Sequence, residues 1–388
     1  MDFALTAEQE ALRDAVARLC ARFPATWWRA RDADGRFPAE FHRAMADAGF
    51  LGICMPEAVG GAALGITEAA IMMQAVAESG AGMSGASAIH MNIFGLTPVV
   101  AFGTPDQQAR MLPPLIRGEE KACFAVTEPD AGLDTGRITT RAERRGSRYV
   151  LTGQKIWTST AQVADRVLIL ARTTPADRVA RRTDGLSLFY APLDRSRVEV
   201  REIPKMGRHA VDSNALFLDG LEVDEGDRIG AEGEGFSLIL HGLNAERILV
   251  AAEAVGIGHA ALRRATEYAK ERVVFGRPIG ANQGVQFPIA KAYAQMRAAE
   301  AVVLKGLAKF ERGEPCGEEA NMGKMLAAEA SWAAGEACVN THGGFGFAEE
   351  YDIERKFRET RLYQVAPIST NLILSYLGEH VLGMPRSY

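Results

Sequence analysis

Five cysteines, none in a CxxC pair and none spaced with histidine as metal ligands, leave this chain without a disulfide framework or a zinc signature. The odd, scattered set (Cys20, Cys54, Cys123, Cys316, Cys338) fits free thiols in a reducing, cytoplasmic setting. An excess of one charge is also missing. Lys and Arg number 44 against 49 Asp and Glu, a net −5 spread without blocks, which argues against nucleic acid or an acidic membrane surface as partner. The one basic cluster, Arg141, Arg144, Arg145 and Arg148, is short and interleaved and reads as a solvated hairpin. No apolar run is expected to reach the roughly 20 residues that span a bilayer. Met1 to Glu10 lacks the basic and apolar regions of a leader. It reads instead as the start of a helix with Thr6 as N-cap and Gln9 at N3. No internal repeat or low-complexity segment stands out.

What remains is a composition of 47% hydrophobic and 24% charged residues, that of an ordinary globular protein long enough for two or three packed units. Residues 1–120 carry helical periodicity: Thr6–Phe23, Pro38–Gly49, Thr67–Gly80, Met91–Gly103 and Pro105–Gly118. Residues 121–230 change texture. Eight short β-rich runs, including Cys123–Thr127, Tyr149–Thr152, Lys155–Ser159 and Val167–Ala171, alternate with turn signals and predict a barrel or sandwich. Residues 231–388 return to long amphipathic stretches, 236–271, 285–312, 317–341 and 367–381, broken at Gly276-Arg277-Pro278 and at Gly343-Gly344. The predicted class is α+β, mainly α: a helical domain, a β-domain and a helical bundle.

One residue departs from these patterns. Glu246 shares a helical stripe with Leu243, Leu249, Val250, Glu253 and Ile257. A carboxylate on a mostly apolar stripe loses water, and desolvation raises its pKa toward the range useful to a general base. Taken by itself, the stripe favours the plainer reading, a solvated or Arg-paired Glu on a helix rim, because structural ion pairs are common. Gly80-Ala81-Gly82-Met83-Ser84-Gly85 fits GxGxxG, but a helix precedes it where a dinucleotide fingerprint needs a strand, so it reads as a flexible turn. The strand-end segments Phe124–Gly132 and Trp157-Thr158-Ser159 offer hydroxyls, backbone amides and an indole, a set able to hold a flat amphiphilic cofactor. Arg272 closes one helix, where it suits either the helix dipole or a phosphate. Thr341–Phe347 is a glycine-rich break whose amides suit an anion.

In this order the segments resemble the acyl-CoA dehydrogenase family of flavoproteins, over essentially the whole chain. The sharp matches are Val126-Thr127-Glu128-Pro129-x-Ala131-Gly132, Gly153-Gln154-Lys155-x-Trp157, Glu271-Arg272-x-x-Phe275-Gly276, His342-Gly343-Gly344 and Arg358-Glu359-x-Arg361-Leu362-Tyr363-Gln364. The resemblance implies an N-terminal helical domain, a central β-domain and a C-terminal four-helix bundle. It also implies FAD-dependent oxidation of an acyl-CoA thioester to the trans-2-enoyl-CoA, with electrons passed to an electron-transferring flavoprotein. Phe124, Val126, Thr127, Trp157, Thr158 and Ser159 match positions lining the flavin. Arg272, Phe275 and Gln283 match positions reaching FAD across a subunit contact of a homodimer or homotetramer, and His342, Gly343 and Gly344 match the pyrophosphate turn. Ser369 and Asn371 fall on the cofactor by the same likeness, and Asn244, Arg247 and Leu133 on the CoA substrate.

Two positions differ from most of the family. The segment that usually carries the catalytic Glu reads Tyr363-Gln364-Val365-Ala366-Pro367-Ile368 here, so Pro367 stands at the Glu position. Isovaleryl-CoA and long-chain acyl-CoA dehydrogenases place the base on the helix opening the C-terminal domain, and Glu246 aligns there. Leu133 stands where many relatives have Ser. Pro367 also lacks the N–H that would help polarise the thioester. Ile368 N–H, a group near Glu246, or the flavin ribityl hydroxyl alone remain as donors. A flavin oxidase on the same fold and a non-catalytic relative are the alternatives. Oxygen reactivity of reduced flavin separates the first, and a colourless protein that takes up no FAD marks the second.

Overall fold

The computed structural model describes residues 4–386. Seven helices open it: α1 (Ala7–Ala21), α2 (Ala25–Asp34), α3 (Ala39–Asp47), α4 (Ile66–Glu78), α5 (Gly82–His90), α6 (Thr97–Phe102) and α7 (Pro105–Ile116). The capping box read at Thr6 forms. Gln9 N–H donates to Thr6 Oγ1 at 3.2 Å, and Thr6 N–H donates to Gln9 Oε1 at 3.1 Å. Met1–Phe3 fall outside the described residues.

The GxGxxG segment is a correction. Gly80 and Ala81 do form the turn between α4 and α5, but Gly82–Gly85 are already the first turn of α5, where Met83, Ser84 and Gly85 are buried. Ser79 takes up the Ala81 and Gly82 amides, and Glu359, from far along the chain, holds the start of the helix. The Glu359 carboxylate accepts from Met83 N–H at 2.9 Å and from the Ser84 hydroxyl at 2.7 Å. The apolar stretch Gly82–Phe102 is also longer than expected, 21 residues, enough to cross a membrane by length and composition alone. Instead, 61% of its most apolar 18-residue window is buried inside the protein.

The β-domain holds β1 (Ala122–Ala125), β2 (Arg141–Arg145), β3 (Arg148–Ser159), β4 (Arg166–Arg172), β5 (Leu186–Pro192), β6 (Val198–Glu202), β7 (Ser213–Asp224) and β8 (Arg228–Ile229). The sheet runs β6-β7-β3-β2-β4-β5-β8, with β1 added parallel to β4. The basic cluster is the exposed β2–β3 hairpin, paired to Glu143, Glu222, Asp224 and Glu225. The runs Tyr149–Thr152 and Lys155–Ser159 prove to be one strand, β3. Gly153 between them is no turn. A Cβ there would lie 2.6 Å from Thr140 Oγ1, so glycine lets a neighbouring segment cross the strand closely.

The C-terminal unit comprises α8 (Gly235–Glu271), a small hairpin β9 (Val273–Val274) and β10 (Arg277–Pro278), and then α9 (Gln283–Glu311) and α10 (Gly317–His342). It ends with α11 (Gly344–Phe347), α12 (Ile353–Thr360), α13 (Leu362–Val365) and α14 (Thr370–Tyr376). In the middle of α8, Ala251, Ala252, Ala254, Gly256, Gly258, Ala260 and Ala261 are all small, and Ala251, Ala252, Ala254 and Ala261 join one core with residues of α4, α9 and α10. Small side chains let backbones approach closely. A Cβ on Gly256 would sit 2.2 Å from the Gln74 carbonyl oxygen of α4. The spacing of α4 and α8 fixes where the middle of α8 meets the N-terminal domain. Gly256→Ala is therefore expected to lose about 1–3 kcal/mol through overpacking, measured by chemical denaturation. Unchanged stability would show that the contact is not tight.

Candidate active site

Glu246 lies on α8, which packs against α4 and α5 of the N-terminal unit and α9 and α10 of its own, and retains 9% of its surface. Burial pushes its carboxyl up to about 7. His90, Arg247 and Lys324 pull the other way and Glu253 adds to the rise, so burial dominates over a mixed set of charges. Asn244 and Arg247 sit beside it. Arg247 Nη1 donates to Asn244 Oδ1 at 2.9 Å, and its Nε is buried with no partner. Both are half-buried and in place to meet a ligand.

One helical turn before Glu246, Gly242 faces Phe94 and Thr97, which its Cβ would meet at 3.6–3.9 Å. Phe94 in turn stacks edge-on against Phe124 of β1, with ring centroids 5.6 Å apart. The base candidate and the strand wall are thus joined through one aromatic from the N-terminal domain. On that wall Val126 and Thr127 continue β1, and Thr127 carbonyl accepts from Ile156 N–H of β3 at 2.9 Å. Next along β3, Trp157 takes a positive φ of 61° and leaves its indole 57% exposed. A left-handed, solvent-facing Trp is an uncommon arrangement for a residue with no partner. Beside it Thr158 Oγ1 is sealed from solvent and has no hydrogen-bond partner, a state that costs about 1–3 kcal/mol unless a ligand answers it. Ser159 Oγ accepts from Arg208 Nη2 at 3.0 Å. An exposed indole flanked by an orphaned hydroxyl suits the edge and face of an isoalloxazine, so these residues fit FAD.

The strand ends are held by a buried pair that only the structure exposes. Lys155 Nζ donates to Glu128 Oε1 at 2.9 Å and to the Val126 carbonyl at 3.0 Å. Glu128 also accepts from Thr139 N–H at 2.7 Å and Thr140 N–H at 2.9 Å. Burial opposes its charge, but Lys155 and these donors hold the carboxyl down at about 2. The Glu128 and Lys155 of the two sequence motifs are therefore the clamp that sets Thr127 against Trp157.

Other expected residues gather elsewhere. Arg272 caps the far end of α8 with its guanidinium over the Phe345 ring, 5.7 Å from the centroid. Phe275 is fully exposed with φ 53° and Gln283 is the exposed first residue of α9. His342 is buried, stacked on Tyr268 with centroids 4.0 Å apart, and its Nδ1 lies 2.8 Å from the Cys338 carbonyl. Gly343 takes φ 59°, and Gly344 opens α11. At 1.5 Å per residue, Arg272 lies roughly 40 Å along α8 from Glu246. Within one chain this second cluster does not meet the first. Leu133 is exposed after the Gly132 turn. Ser369 caps α14, its Oγ accepting from Leu372 N–H at 3.3 Å, and Asn371 is exposed.

Two groups near Glu246 carried no signal in the sequence. Lys324 of α10 is fully buried and donates from Nζ to the Ile368 carbonyl at 2.6 Å, which anchors the segment after Pro367. Burial, followed by Arg247, lowers it to about 8, while Glu246 favours its charge. His90 of α5 lies with Nδ1 2.7 Å from Glu253 Oε1.

Comparison with known proteins identifies the three units. Residues 6–119, 123–221 and 233–380 match the N-terminal, middle and C-terminal domains of acyl-CoA dehydrogenase. An acyl-CoA dehydrogenase of Mycobacterium tuberculosis is 34% identical over 390 residues, covering 98% of this chain and 97% of that protein. The structure of butyryl-CoA dehydrogenase from Megasphaera elsdenii superposes with a TM-score of 0.92 at 28% identity, covering 98% of this chain and 100% of that one. A chain solved in work on the electron transferring flavoprotein of Acidaminococcus fermentans gives a TM-score of 0.93 at 30% identity, with coverage of 98% and 100%.

Lys155→Met leaves Glu128 buried without its cation. Removing one partner of such a pair is expected to cost about 3–5 kcal/mol, read from denaturant midpoints, with loss of bound flavin. Glu128 sits at about 2 against an ordinary 4.5, so wild type holds this contribution above that window and loses it as the pH falls through it. The gap between variant and wild type should narrow in acid. A gap independent of pH would contradict the assignment.

Proposed function

The chain belongs to the acyl-CoA dehydrogenase family, an FAD-dependent oxidoreductase acting on CH–CH groups, and from that premise we propose that Glu246 is its catalytic base. The substrate in this reading is an acyl-CoA, converted to the trans-2-enoyl-CoA, and the electrons go to an electron-transferring flavoprotein in a cytoplasmic setting. The observation that carries it is the buried Glu246 carboxyl at about 7, joined through Gly242, Phe94 and Phe124 to a wall that fits FAD. Pro367 accepts no proton, and no carboxylate stands in its place.

Glu246, once ionised, takes the α-proton of the thioester. A base at about 7 is half ionised at neutral pH and still basic enough to work. FAD, when bound, supplies the acceptor for the hydride leaving Cβ. Phe124, Val126, Thr127, Trp157, Thr158 and Ser159 would hold its ring, and Asn244, Arg247 and Leu133 would border the CoA ester. Pro367 has no N–H to offer the thioester carbonyl. Ile368 N–H makes no hydrogen bond among the described residues, while its own carbonyl is held by Lys324. We assign Ile368 N–H as the donor that polarises the thioester, with Lys324 as its positioning residue.

Arg272, Phe275, Gln283, His342, Gly343 and Gly344, with Ser369 and Asn371, are assigned to FAD held jointly with a second copy. The distance along α8 forbids the Arg272 cluster from serving its own chain's wall. Phe275 is 101% exposed, Phe347 86% and Phe287 59%, an aromatic face that a homodimer or homotetramer would cover.

Glu246→Gln keeps size and hydrogen bonding but removes the base. It is expected to retain FAD and CoA binding while flavin bleaching by substrate slows at least about 10³-fold, followed by anaerobic rapid mixing. In wild type, kcat/KM should rise with pH through about 7, because the ionised form is active. Near-normal bleaching by the variant would overturn the site. Sedimentation should find a dimer or tetramer whose dissociation releases FAD, and a monomer holding FAD tightly would refute the shared site.

A further inference from the structure

His90 and Glu253 take no part in the proton transfer, yet they stand on its stripe. Glu253 lies two turns beyond Glu246 on α8, about 10 Å along the axis at 1.5 Å per residue, on the same face. Glu253 is 2% exposed, and the His90 side chain keeps 18% of its surface. Nδ1 of His90 is committed to Glu253 at 2.7 Å. Nε2 has no hydrogen-bond partner among the described residues and, unlike Thr158 Oγ1, is not sealed from solvent.

The position of His90 relative to the chemistry follows from the same aromatic bridge. Its ring lies 5.3 Å from Phe94, which meets Phe124 of the flavin wall at 5.6 Å. An acyl group with Cα at Glu246 and Cβ toward that wall would then extend along α5 and α8, past the contact of Gly242 with Phe94 and Thr97. Along that path stand His90 and Glu253, with the buried and unpartnered Tyr363 hydroxyl beside Glu253. We propose that this pair is a specificity determinant, and that the enzyme takes a short acyl group ending in a neutral hydrogen-bond acceptor, such as a hydroxyl or carbonyl, that receives the Nε2–H of His90. This rests on the assignment of Glu246 as base.

The charges around His90 set the sign. Burial opposes its protonation, but Glu253 and Glu246 on α8 outweigh it and raise the pKa, with Arg208, from the loop before β7, acting against them. An imidazolium donates from both nitrogens. A plain alkyl end would leave this donor dry and unpaired, which a site built to hydrogen-bond penalises strongly. A terminal carboxylate would meet Glu253 and the ionised Glu246, two like charges against one imidazolium and the more distant Arg208.

The test is anaerobic flavin bleaching of the holoenzyme by ω-hydroxyvaleryl-CoA, hexanoyl-CoA and glutaryl-CoA, which match in chain size. Wild type is expected to favour ω-hydroxyvaleryl-CoA over both others by at least about 10-fold in kcat/KM. His90→Leu should abolish that ratio, and His90→Gln, which keeps an N–H donor, should restore part of it. FAD content and melting temperature show that each variant is folded. If His90→Leu fails to fold, the wild-type ratios and His90→Gln still decide. A wild-type preference for hexanoyl-CoA or glutaryl-CoA, or a ratio that survives His90→Leu, overturns the proposal. Failure of the base assignment looks different: Glu246→Gln would bleach normally while the ratios persisted.

Discussion

The desolvation of one carboxylate organises this molecule. Glu246 is carried into a helix interface by α8, where most neighbours are alanine, leucine, isoleucine or valine. Burial lifts its carboxyl to about 7, and folding must absorb the cost of the charge whenever the pH exceeds that value. The raised pKa means the native state holds a proton the unfolded chain would release between about 4.5 and 7. Stability therefore falls as the pH rises through that window. The counter-charges are placed to moderate rather than cancel the effect: His90, Arg247 and Lys324 lower the pKa, and Glu253 raises it.

Each layer contributes to holding that position. Gly256 lets α4 approach α8, Glu359 fastens the start of α5, and Lys155 with Glu128 clamps the strand ends that form the wall. The remaining strongly assigned residues, Arg272 and the His342 turn, sit at the other end of α8. In the proposed assembly one long helix would serve two sites, its own near Glu246 and a neighbour's near Arg272, which would tie catalysis to assembly.

Much of this was legible from local pattern. The Thr6 cap, the helical stretches and most strands follow periodicity and turn chemistry, and Glu246 stood out because a carboxylate on an apolar stripe is anomalous. What local pattern missed depended on distant partners. Thr152-Gly153 resembles a turn until Thr140 is seen crossing it. Gly80–Gly85 resembles a flexible loop until Glu359 supplies its acceptors. Lys155 looks like a surface lysine in an alternating strand, and only Glu128, 27 residues away, makes it a buried clamp. His90 and Glu253 are 163 residues apart, and Lys324 and Ile368 are 44 apart. Contacts across such separations leave no periodic trace, whereas the positions proposed to line the flavin come from the family resemblance.

The central claim is that burial holds Glu246 protonated up to neutral pH and so makes it a base. Infrared difference spectroscopy of the holoenzyme against Glu246→Gln isolates this one carboxyl. The account predicts a protonated-carboxyl band, absent from the variant, that disappears with a midpoint near pH 7. A band lost near the ordinary carboxylate value of about 4.5, or one that the variant still shows, would contradict it.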